Sequence, residues 1–76
     1  MKQKKTQLRR IASNEVLTPE GKSLTLHVVE LSEGVVSSLY PLQVEQANTE
    51  WLQGRVTLKK ESDEIVRAYY NNKPLT

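Results

Sequence analysis

SLTLHVVELSEGVVSSLY, residues 23–40, is the stretch whose pattern decides the fold. Leu24, Leu26 and Val28 alternate with Thr25 and His27, the period of two that belongs to a strand with one covered face. The doublet Val28 and Val29 breaks that phase, and Leu31 continues with Val29; a bulge, or a stretch buried on both faces, accounts for the break. Ser32, Glu33 and Gly34 supply a compact turn, and residues 35–40 return as a second strand that Pro41 closes. Strands joined by so short a turn pair antiparallel.

The pattern extends in both directions. Upstream, Ile11, Val16 and Leu17 precede Thr18, Pro19, Glu20 and Gly21, where proline presets one turn dihedral and glycine accepts a positive φ, as in a hairpin. Downstream, residues 42–53 change character. Gln43, Glu45, Gln46, Ala47, Asn48 and Glu50 are poor strand formers, and Leu42, Val44, Ala47 and Trp51 make no complete amphipathic stripe, so one or two helical turns at most are expected there. Gly54 opens a second β region in which Val56 and Leu58 alternate with Arg55, Thr57 and Lys59, before a charged turn over residues 60–64. Residues 65–70 are β-branched and aromatic, Asn71 and Asn72 tolerate the left-handed region of a tight turn, and residues 73–76 leave room for a short return strand. The predicted fold is all-β: a small antiparallel open sandwich or partly closed barrel of about six strands, with at most one short helical turn.

The chain has 76 residues, enough for one small domain. A chain of this size buries only roughly 60% of the surface its unfolded form exposes, so a deep catalytic cleft is not expected. It has no cysteine, which removes disulfides, thiolate metal sites and thiol nucleophiles together and fits a reducing compartment. The formal charge of +2 is unevenly placed. Residues 1–10 carry Lys2, Lys4, Lys5, Arg9 and Arg10 with no acid, which leaves six bases against nine acids in the rest. The reading is a basic, flexible N-terminal arm over residues 1–9 and a mildly acidic β domain over residues 10–76. A folded face that grips nucleic acid normally carries the positive charge itself, and here it lies on the arm. Those five cations are the candidate contacts for phosphate or an acidic partner, through attraction that salt screens. Two arginines interrupt the only apolar run near the start, and nothing approaches the roughly 20 apolar residues of a membrane span, so a cytoplasmic protein without a membrane span is expected.

The inventory argues against catalysis. His27 is the only histidine, and it falls on the polar face of its strand with no second imidazole or thiol to share a metal. Glu61, Asp63 and Glu64 crowd a turn without the glycine and spacing of a calcium loop. Gly21, Gly34 and Gly54 stand too far apart to cradle a phosphate. No catalytic residue, cofactor, metal or small-molecule substrate is therefore expected. Trp51 has two readings. As a core plug it would close the interior of a chain that lacks phenylalanine, and as an exposed residue it would anchor a partner; the core reading is favoured because little else is large enough. Tyr69 and Tyr70 must point to opposite faces, one inward and one outward, and Tyr70 is taken with Trp51 as a candidate anchor.

Two segments also carry a family resemblance. RIASNEVLTPEGKSLTLHVVELSEGVVSSLYPL, residues 10–42, resembles the N-terminal strands of amidohydrolase-type metal-dependent hydrolases, and GRVTLKKESDEIVRAYYNNKPLT, residues 54–76, looks like their C-terminal strands, with Asn72 where glycine is usual. In that family the two ends of the chain combine into a small composite β-sandwich beside a catalytic barrel. The barrel and its metal ligands have no counterpart in this sequence, so the resemblance implies an accessory module without the enzyme. The expected function is a noncatalytic β-module for protein interaction or assembly, with a protein partner or self-association through strand edges; the alternative is a nucleic-acid-binding small barrel using the basic arm.

Overall fold

The computed structural model describes residues 8–43 and 48–76, and among them it is all-β. Six strands follow one another: β1 (Leu8–Leu17), β2 (Ser23–Ser32), β3 (Val35–Pro41), β4 (Thr49–Ser62), β5 (Ile65–Tyr70) and the two-residue β6 (Lys73–Pro74). β1 and β2 form one antiparallel hairpin, β2 and β3 a second, and β4 and β5 a third. Strand β3 then meets β5 at a single register pair, Val35 opposite Arg67, which closes a barrel in the order β1, β2, β3, β5, β4.

Two connections follow directly from local chemistry. The β2–β3 turn holds Glu33 and Gly34 at φ 53° and 83°, and the β5–β6 turn holds Asn71 and Asn72 at 53° and 66°. Two consecutive residues at positive φ make the hairpin loop whose twist matches that of its strands. The β1–β2 turn is tied by the Gly21 and Lys22 amides, which donate to the carbonyl and the hydroxyl of Thr18 at 2.9 and 3.0 Å.

The structure departs from the sequence expectation in three ways. The second β region opens at Thr49 rather than Gly54, so residues 49–53 are strand where a helical turn was expected; residues 44–47 of that stretch lie outside the described residues. Strand β4 also runs parallel to β1, with Arg10 opposite Thr49 and Ala12 opposite Trp51, where an antiparallel sheet was expected throughout. Parallel neighbours need a crossover, and the long connection from β3 supplies it. β1 itself begins at Leu8, so Leu8 and Arg9 belong to the folded body rather than the arm.

The interior is built from Ile11, Val16, Val29, Leu31, Val56, Leu58 and Ala68, none more than 3% exposed. Burying a valine- or leucine-sized side chain contributes roughly 1.5–3 kcal/mol, so these few residues dominate the stability. The spacing of the inward residues shows where the wall bends. Ile11 and Val16 both face inward although an odd number of positions separates them, and the same holds for Leu24 and Val29. Each strand therefore changes phase between its two inward residues. On β2 the change falls at Leu26, at φ 52°; β4 keeps its phase, with Leu52, Val56 and Leu58 all inward, and takes up the bend as a register shift opposite residues 13–15, where Gly54 lies at φ 108°. Asn14 lies between Leu26 and Gly54 on β1 and accepts the Gly54 N–H on its Oδ1 at 2.8 Å. Three adjacent strands thus bend along one line. The doublet Val28 and Val29 is not itself the bulge: both residues are fully buried, Val29 in the interior and Val28 opposite Ala12 on the outer side of the wall.

Trp51 corrects the favoured sequence reading. It is 49% exposed on the outer wall, because it alternates with Leu52, which packs inward on a core made mostly of aliphatic side chains. Gly54 occupies a backbone region that side chains rarely adopt, although open space surrounds it. Gly54→Ala is expected to lower stability by about 1–3 kcal/mol, whereas Leu26→Asn, which tolerates positive φ, is expected to be neutral or stabilising. Urea denaturation midpoints of the two variants check both.

Candidate functional site

The arginines are the first candidates to place, since two of them were expected to be free for phosphate. Arg9 donates from Nε and Nη2 to the two carboxylate oxygens of Glu50 at 2.7 and 2.9 Å, and from Nη1 to the backbone oxygen of Thr76 at 2.7 Å. Arg10 donates to Glu30 at 3.0 Å, and the Tyr40 hydroxyl donates to the same carboxylate oxygen at 2.5 Å. Arg55 pairs with Glu15, and Arg67 with Glu61, each at 3.0 Å. All four arginines of the chain are thus engaged by glutamates of the body. Arg9 and Arg10 act as ties between strands, and Lys2, Lys4 and Lys5 lie outside the described residues.

These pairs shift the titrations of their members. Hydrogen bonds from Tyr40 and then Arg10 hold the Glu30 carboxyl below the usual range. Ser23 and then Arg55 lower Glu15, and Arg9 lowers Glu50. Glu30 in turn raises the Tyr40 phenol, because ionisation would forfeit the hydrogen bond that the hydroxyl donates to this carboxylate. A carboxylate with a depressed folded-state value stabilises the fold above the ordinary value of 4.5 and ceases to do so as pH falls through the depressed one.

Arg9, Arg10 and Glu50 line an open cleft of about 720 Å³ together with Leu8, Leu31 and Thr76. Its two cations are already engaged, Arg9 by Glu50 and Arg10 by Glu30, and Glu33 is the lining carboxylate with no ion pair among the described residues. Among the described residues no group of histidine, aspartate or glutamate side chains is arranged to hold a metal. His27 is half-buried, with Nδ1 3.1 Å from the Thr25 carbonyl oxygen. The turn carboxylates are separated too, since Glu61 turns to Arg67.

The two candidate anchors divide. Tyr70 packs against the interior cluster and donates its hydroxyl to the Gln53 carbonyl at 2.6 Å, so it braces the barrel and does not serve as a free anchor. Tyr69 faces outward instead, with Lys59 Nζ 5.0 Å from its ring centroid. Trp51 does stand on the surface. Across β1 from it, on the same outer wall, is Leu26, 43% exposed, which the sequence pattern had placed with the covered residues Leu24 and Val28. The missed signal is the backbone: alternation keeps Leu26 with Val28, but it cannot register the positive φ at Leu26 beyond which the phase changes and Leu24 packs inward. Ala12 and Val28 lie between these two, with at most 2% exposure. The outer wall thus exposes a tryptophan and a leucine on either side of a covered alanine–valine pair.

No family model, curated protein or solved structure matches the chain. The resemblance of residues 10–42 and 54–76 to the composite sandwich of metal-dependent hydrolases gains no support from those comparisons. Among the described residues no helix is long and apolar enough to cross a membrane.

Tyr40→Phe removes the leading cause of the Glu30 shift. The Glu30 carboxyl is expected to titrate closer to the ordinary carboxylate range in that variant, and to lie below it in the unaltered chain. Carboxyl-detected NMR titration of the two proteins measures the difference.

Proposed function

We propose that this chain is a noncatalytic β-module that binds another protein through its outer wall. The observation that carries the reading is the exposure of both Trp51 and Leu26 on that wall. A leucine that is exposed and also held at positive φ is unfavourable twice over for folding, and strain of this kind collects where a surface has work to do. Tryptophan is the commonest energetic anchor of protein interfaces, since one rigid side chain covers a large area. Trp51 and Leu26 are themselves the accessible apolar area, since Ala12 and Val28 between them are covered, and charged groups along the neighbouring strands supply a polar rim.

Charge supports the alternative, nucleic-acid reading less well. The described residues hold as many acids as bases, and every arginine faces a glutamate. A phosphate-binding face would break those pairs.

The test is affinity capture from native extract at two salt concentrations, with the unaltered chain and with Trp51→Ala. The variant is expected to keep its stability within about 1 kcal/mol, as a surface substitution does, and to lose the captured protein at both salt concentrations. Equal capture by Trp51→Ala, or capture that salt alone abolishes, would overturn the reading. Trp51 is the only tryptophan, so a blue shift of its emission on adding the purified partner gives a second readout.

A further inference from the structure

The barrel closes unevenly. Strand β3 pairs with β2 along its length apart from a bulge at Ser37, yet its other edge meets β5 only through Val35 opposite Arg67. Beyond that pair, residues 36–39 run along a groove of about 330 Å³ whose apolar lining is Val36, Leu39, Leu58 and Val66. Pro19 and Glu20 of the β1–β2 turn close one end. An open strand edge beside an apolar groove is the arrangement that accepts an added strand, with backbone hydrogen bonds giving affinity and alternate side chains entering the groove.

The chain fills the other part of the same seam with its own extended segment. Leu75 donates its N–H to the Ala68 carbonyl at 2.9 Å and packs its side chain on the interior cluster. Its carbonyl and Thr76 come so close to Gly34 that a side chain there would touch them. One length of the seam thus already receives a strand with a leucine plug, and the rest is vacant among the described residues. Glu20 sits at the rim of the vacant part with no ion-pair partner among the described residues.

We infer that the vacant seam binds an extended segment of a partner protein, antiparallel to β3, with an apolar side chain between Leu39, Leu58 and Val66 and a lysine or arginine beside Glu20. The segment is short, since four residues of free edge span only about 13 Å. This extends the reading of the chain as a protein-binding module to a second surface, separate from Trp51.

The probe is an acetylated peptide of about seven residues that alternates valine with threonine and ends in lysine, added to the full chain and followed by amide NMR shifts. Shifts at residues 36–39 and at Leu58 and Val66 are expected. Methylating alternate backbone nitrogens of the peptide, which removes hydrogen bonds and keeps the side chains, is expected to weaken binding about tenfold or more. Glu20→Lys, an exposed substitution, is expected to weaken the lysine peptide and to favour one ending in glutamate. The inference is overturned by absence of shifts at about 1 mM peptide, by shifts elsewhere, by equal binding of the methylated peptide, or by indifference to Glu20→Lys. It is equally overturned if sedimentation shows a dimer whose residues 36–39 are already protected from exchange, because a second copy then fills the seam. Trp51→Ala leaves the peptide shifts unchanged if the two surfaces are separate, so either reading can fail without the other.

Discussion

A barrel wound from five strands encloses a space only a few aliphatic side chains wide, and most of what is distinctive in this protein follows from that limit. Ile11, Val16, Val29, Leu31, Val56, Leu58 and Ala68 form its centre, with Leu52 and Tyr70 among the side chains packed against them. Trp51 alternates with Leu52, so the chain's largest side chain stands on the wall. Such a tube also cannot be rolled from straight strands. Its walls must bend, and they do so where Leu26, Asn14 and Gly54 lie side by side on β2, β1 and β4. The bend that makes the interior closable is therefore also what separates Leu24, packed inward, from Leu26 on the outer wall with Trp51.

Charge plays a different part from the one its total suggests. The basic excess of the chain resides in residues 1–7, whereas the arginines of the body are spent on glutamates of neighbouring strands. Exposed pairs of this kind each contribute little to stability. Their effect is mainly on geometry. Arg9 alone joins β1, β4 and the segment after β6, and Glu30 gathers Arg10 from β1 and Tyr40 from β3.

Local pattern made the all-β class and the hairpins legible. The turns at residues 33–34 and 71–72, the strand over residues 35–41 and the alternation of Val56 and Leu58 could be read because each depends on neighbours in sequence. The parallel pairing of β4 with β1 could not, since it depends on a partner some forty positions away that makes strand out of Glu50 and Gln53, residues with little preference for it. The site was half legible. Trp51 was singled out but favoured as a plug, because its size was weighed without its alternation with Leu52; Tyr70 was chosen over Tyr69, because adjacency fixes opposite faces without saying which is inward. Leu26 left no signal at all, since its separation from Leu24 depends on one dihedral.

The parallel pair has a kinetic meaning as well. β1 lies at the middle of the sheet, yet its partner on one side is supplied by the β2 hairpin at once and on the other only after Thr49 and the strand following it exist. Closing so long a loop before its contacts are rewarded slows folding, and pairing of distant strands is the slow kind. On a ribosome the three-stranded meander of β1, β2 and β3 would emerge first with one flank of β1 bare. Until β4 arrives, Ile11 and Val16 have lost their cover on that side, and the growing chain offers an unpaired apolar edge to whatever is near.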